Sequence, residues 1–95
     1  MVEKYKFDED FFLEELKQYI DSTYETHYAG NIQPTEVIIE SGHGTGFIIG
    51  DIIKYAMRYG KKGDSPSAYR KDLLKIAHYA ILALSNHDRT YDATK

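Results

Sequence analysis

Two pairs of cations carry the clearest chemistry in this chain. Lys54 and Arg58 stand four residues apart, and Lys71 and Lys75 repeat the interval with His78 beside them; Lys61 and Lys62 lie between the pairs. On a helix that interval puts both members of a pair on one face, where like charges are mildly repulsive. A bound phosphate would relieve the repulsion, with Arg58 as a bidentate clamp and the lysines as point charges. Tyr28, Tyr55, Tyr59 and Tyr79 fall in or beside the same segments. A tyrosine offers a ring to a nucleobase and a hydroxyl to ribose or phosphate. The competing reading is a solvated basic face neutralised by Asp51, Asp72 or the acidic N-terminal segment.

Other candidate chemistry is thinner. Gly42-His43-Gly44-Thr45-Gly46 opens a helix, and free backbone N–H groups there can face a phosphate. The loop lacks the Gly-Lys-Ser/Thr ending of a P-loop and the βαβ setting of a dinucleotide fold, so a plain helix–helix turn is the rival reading. His27, His43, His78 and His87 have no metal-ligand spacing. Glu36 and Glu40 form a four-residue pair of carboxylates, but the second carboxylate pair of a helical pyrophosphatase is missing. With no cysteine, disulfides, thiolate sites and a cysteine nucleophile are excluded together.

Composition bounds the rest. Ninety-five residues with 42% hydrophobic and 28% charged residues suit one small domain with a thin core, for which oligomerisation is an expected remedy. Residues 1–40 hold ten acids and three bases, and residues 41–95 hold five acids and nine bases. This split favours an anion site in the second half, while the overall charge of −3 argues against general DNA binding. The first ten residues lack the pattern of a signal peptide, and no apolar run spans a bilayer, so the expectation is a cytoplasmic protein away from membranes.

The elements that must position these groups read as four helices, an all-α bundle. Asp8 suits the N-cap of a first helix to Tyr24, with Phe7 stapled onto Phe12, and Phe11 falls on its polar side as a possible partner contact. Pro34 starts a short helix to Ser41, and Gly42 stops it; the β-branched Val37-Ile38-Ile39 makes a strand the local alternative. A third helix runs from Thr45 to Tyr59 before Gly60. Ser65-Pro66 begins the longest, which ends at Asn86. The expected core stripes are Ile49, Ile52, Ile53, Ala56 and Met57 on the third helix, and Leu73, Leu74, Ala77, Ala80, Ile81 and Leu84 on the fourth. Lys71, Lys75, His78, Tyr79 and Leu82 then face away from that core, and a second packed surface in a homo-oligomer accounts for the leucine and tyrosine among them. The expected division is an acidic helical segment (1–26), a core (27–86) and a polar tail (87–95).

From His27 to Leu84 the chain resembles a family of small bacteriophage proteins described as SaV-like or as nucleotide kinases. The matching pieces are His27-Tyr28, Ile32-Gln33-Pro34 with Glu36, Gly50 with Ile53-Lys54-Tyr55 and Arg58, Lys61-Lys62-Gly63, and Asp72-Leu73 with Lys75 and Tyr79. Asp51 replaces the asparagine common after Gly50, setting a negative charge near Lys54. The resemblance implies a nucleotide site built from His27, Tyr28, Lys54, Tyr55, Arg58, Lys61, Lys75 and Tyr79. For a kinase it implies phosphoryl transfer to a nucleoside monophosphate, magnesium arriving with ATP and no tightly bound cofactor, with His27 as the candidate base. The rival readings are a sponge that sequesters a host nucleotide signal, cyclic nucleotides included, and a protein-binding adaptor.

Overall fold

A computed structural model describes residues 4–26 and 33–91. It is all-α, with α1 (Glu9–Thr26), α2 (Pro34–Glu40), α3 (Gly44–Arg58) and α4 (Pro66–Tyr91). The chain divides into two compact units, Met1–Asn31 and Ile32–Lys95. No helix among the described residues is long and apolar enough to cross a membrane.

In the first unit, Asp8 adopts a left-handed φ of 58°, a conformation aspartate tolerates better than most residues. Its carbonyl accepts the Phe12 N–H at 3.0 Å, and the Glu9 carboxylate accepts the Phe7 N–H at 2.9 Å. Phe7 remains 77% exposed, so the expected staple onto Phe12 does not form; Phe12 instead meets Phe11 edge-on at 5.2 Å. The helix runs two residues past Tyr24, where the Thr26 hydroxyl donates to the Ser22 carbonyl.

The second unit is built on the antiparallel pair α3 and α4, with α2 lying on α3. Pro34 holds the first position of α2, which resolves Val37-Ile38-Ile39 as helix. Gly42, at φ 92°, closes it: its N–H donates to Ile39 and that of His43 to Ile38, a Schellman ending that needs a left-handed residue. Gly44 serves another purpose. A Cβ there would lie 2.7 Å from Asn86 Oδ1 and 3.1 Å from Ile39 Cγ1, so the missing side chain is what lets α2, α3 and α4 converge. Asn86 holds that corner by donating to the Thr45 hydroxyl at 2.9 Å. At the other end the Ser65 hydroxyl caps α4 by accepting the Ala68 N–H.

Two expectations need correction. Asn86 does not end α4: with neither glycine nor proline following, and its own amide spent on Thr45, the helix continues to Tyr91, so half of the expected tail is helical. The core also lies largely on a different face, and of the expected stripes Ile52, Leu74 and Ala77 are the half-buried residues. Ile49, Ile53, Met57, Leu73, Ile81 and Leu84 are each at least 43% exposed, whereas Ile48, Asp72 and His78 are buried and Lys75, Tyr79 and Leu82 half-buried. Periodicity selects the most hydrophobic stripe of each helix, but the helices meet along the stripe that allows close approach at Gly44, ring stacking at Tyr55 and Tyr79, and charge pairing at Asp72.

Candidate functional site

The cations of α3 and α4 converge on one ring. Lys54 Nζ lies 4.6 Å from the centroid of Tyr55, Lys75 Nζ 5.0 Å and Arg58 Cζ 5.3 Å. The three charges are thus within about 10 Å of one another, close to the distance over which salt screens charges. Helical spacing explains the gathering. Lys54 and Arg58 flank Tyr55 along α3, while Lys75 stands one turn before Tyr79, whose ring stacks on Tyr55 at 6.0 Å and 18°. Phe47 meets the far edge of Tyr79 at 6.3 Å and carries the aromatic row along α3.

Two acids temper the charge. Asp51 Oδ1 lies 3.4 Å from Lys54 Nζ, one turn earlier on the same helix. Asp72 is the more consequential. Its side chain is 1% exposed, and its Oδ1 sits 3.2 Å from Arg58 Nε. Among the described residues neither carboxylate oxygen accepts a hydrogen bond, since the Arg58 Nε–H is not aimed at Oδ1, and the pair is held by charge. Arg58 Nε is buried while its side chain as a whole is 32% exposed, so the accessible part lies elsewhere on the side chain. The arginine is anchored from behind and open in front, an arrangement suited to gripping an anion.

Of the other residues expected here, Lys61 lies exposed in the turn after Gly60, with its backbone N–H on the Arg58 carbonyl, and its side chain is not among those around Tyr55. His27 and Tyr28 lie outside the described residues. Phe47 had no place in the expected site, and Asp72 entered it only as a surface neutraliser. Among the described residues, no three histidine or carboxylate side chains are grouped to hold a metal ion.

His78, buried on α4 one turn after Lys75, has its pKa lowered because burial disfavours the imidazolium. The unfolded chain then takes up a proton near pH 6.5 that the folded chain resists. Stability is therefore full above that value and declines as pH falls through it toward the lower folded pKa. Thermal melts should show a lower Tm at pH 5.5 than at pH 8, with a smaller difference in His78→Gln. Equal pH dependence in the two proteins would remove His78 as the cause.

Residues 22–81 match the family model described as a protein of unknown function, DUF3310, and the match encloses every residue of the expected site. No curated protein and no solved structure matches the chain.

Proposed function

The chain belongs to the DUF3310 family, and we propose that it binds a nucleotide, taking the phosphate on Lys54, Arg58 and Lys75 and the base or sugar on the neighbouring aromatic row. The observation carrying this reading is the convergence of three cations on Tyr55 from two helices. Three cations against two acids leave a net positive field at this ring, and the aromatic row of Tyr55, Tyr79 and Phe47 beside them offers apolar edges to a base or sugar.

Both phosphoryl transfer and sequestration would use this site. The resemblance to phage nucleotide kinases favours the first. The acids favour the second: Asp51 and Asp72 already answer two of the three cations, leaving a modest excess of positive charge. That excess suits holding one phosphate group reversibly. A phosphoryl-transfer transition state asks for stronger neutralisation, with magnesium and an acceptor base besides.

A melting-temperature screen against nucleoside mono- and triphosphates and cyclic nucleotides, each with and without magnesium, tests the reading. Ligand at a hundred times Kd stabilises by about 2.7 kcal/mol, or roughly 10–20 °C for a domain of this size. Resolving the products after incubation with ATP and a monophosphate then separates the two forms: intact ligand at stoichiometric binding supports sequestration, and turnover supports the kinase. No shift with any nucleotide at millimolar concentration overturns the proposal and returns the basic face to the adaptor reading.

A further inference from the structure

The aliphatic stripes that the fold leaves uncovered do not point in random directions. Helical rotation from the buried Ile48 places Ile49, Ile52, Ile53 and Ala56 on one flank of α3, and rotation from Tyr79 places Leu73, Ile76, Ala80, Ala83 and Leu84 on one flank of α4. A cleft of about 380 Å³ lined by Thr45, Ile49, Ala83, Asn86 and His87 shows that these are the same flank of the helix pair. Lys54, Arg58 and Lys75 gather on the other side. The pair therefore has one cationic flank and one apolar flank, and no charged residue interrupts the apolar one. Ile49 is 46% exposed, Ile53 53%, Leu73 47% and Leu84 67%, so the flank presents large aliphatic side chains to water side by side, as interaction surfaces do.

We propose that a second copy of this chain covers the apolar flank, so that two α3–α4 hairpins close face to face into a four-helix bundle. Three considerations select a second copy over a foreign partner. First, a two-fold interface sets a patch against itself, and a patch of isoleucine, leucine and alanine without charge is complementary to itself. Second, the area is adequate. From Leu73 to Asn86 the two helices run side by side for about 20 Å at a width of about 20 Å, and α4 continues one helix wide for about 7 Å, giving roughly 480 Å² per copy and about 950 Å² in all. Specific interfaces begin near that size, and those between identical subunits are the more apolar kind. Third, the chain lacks burial: Ile48 is the sole buried hydrophobic side chain among the described residues, and pairing hairpins supplies the missing core. The cleft beside Ile49 gives the interface a socket for a side chain of the opposing copy. Association through this flank leaves the cationic flank open, so the inference stands apart from the nucleotide reading.

Sedimentation velocity from micromolar to hundred-micromolar chain tests it directly. The wild type should sediment at a multiple of the 11.0 kDa chain mass, two copies being the expected value. Ile53→Glu and Leu84→Glu should sediment as monomers at least tenfold above the concentration at which the wild type dissociates, while Ser85→Glu, off the apolar flank, should behave as wild type. Because a charge variant can unfold, single cysteines in this cysteine-free chain provide a second reading. Leu73→Cys, Ala80→Cys and Leu84→Cys should react with a maleimide several-fold more slowly in concentrated than in dilute protein, and Ser85→Cys at one rate in both. A wild type that is monomeric throughout the range overturns the proposal, as does an oligomer whose flank cysteines gain no protection.

Discussion

Arg58→Ala is expected to destabilise the protein by about 3–5 kcal/mol, the cost of leaving a buried charge without its partner. The reasoning starts at Asp72, whose side chain is 1% exposed. Among the described residues its oxygens accept no hydrogen bond, and the Arg58 guanidinium 3.2 Å away is the charge that offsets the loss of water around that carboxylate. Removing the carboxylate is less damaging, because Arg58 is 32% exposed and can turn toward solvent. Asp72→Asn should therefore cost clearly less than Arg58→Ala. Replacing both partners, as in Arg58→Met with Asp72→Leu, should recover most of the loss, because well-packed apolar residues often substitute for a buried pair without penalty. Urea unfolding followed by circular dichroism measures all three, and the coupling between the single changes measures the pair itself. An Arg58→Ala protein within about 0.5 kcal/mol of the parent would show that the pair is too wet to matter. The expected loss also bears on function. Small domains are stable by only about 5–15 kcal/mol, so absent nucleotide binding in Arg58→Ala is informative only beside its folded fraction.

How much of this was legible beforehand depends on which physical signal reports it. Local punctuation reports helix boundaries, and Pro34, Gly42, Gly60 and Ser65-Pro66 each lie at the boundary their backbone preferences require. The convergence of Lys54, Arg58 and Lys75 was likewise within reach, because it follows from four-residue spacing and an antiparallel turn between α3 and α4. The packed face was not. Hydrophobic periodicity ranks stripes by the water they would shed, whereas the helices chose the stripe carrying Gly44, Tyr55, Asp72 and Tyr79. An aspartate reads as a surface residue until its counter-charge is known to lie on the neighbouring helix, so Asp72 was expected on the outside. The sequence reads Gly44 as part of a helix–helix turn, and the structure shows a different role: it has no left-handed φ and instead admits close approach of another helix. Residues 27 and 28, the resemblance's strongest polar pair, lie outside what the structure describes.

Charge changes around Tyr55 should move nucleotide affinity in opposite directions according to sign. Lys75→Ala and Lys54→Ala each remove a charged contact worth about 1.5–3 kcal/mol, so each should raise Kd roughly ten- to a hundredfold. Lys54→Ala should disturb the free protein little, because Lys54 is 58% exposed and its pairing with Asp51 contributes under about 1 kcal/mol, whereas the half-buried Lys75 requires that Lys75→Ala be compared at equal folded fraction. Asp51→Asn is the more discriminating variant. It removes a negative charge 3.4 Å from Lys54 Nζ without changing side-chain size. A phosphate on the far side of Lys54 would lie roughly 6 Å from Asp51, where in water such a charge opposes it by about 0.7 kcal/mol, so its loss should tighten binding around threefold. Raising salt should shrink the Lys54 effect most, because that side chain is 58% exposed while Asp51 is 15% exposed and Lys75 half-buried. Tyr55→Phe keeps the stacking ring and should bind nearly as the wild type does, whereas Tyr55→Leu loses the platform on which the three cations meet. Isothermal titration of each variant with the nucleotide that most raises Tm reads these changes directly. If Asp51→Asn and Lys75→Ala shift the affinity in the same direction, the field at this ring is not what selects the ligand, and the site must be sought elsewhere on the chain.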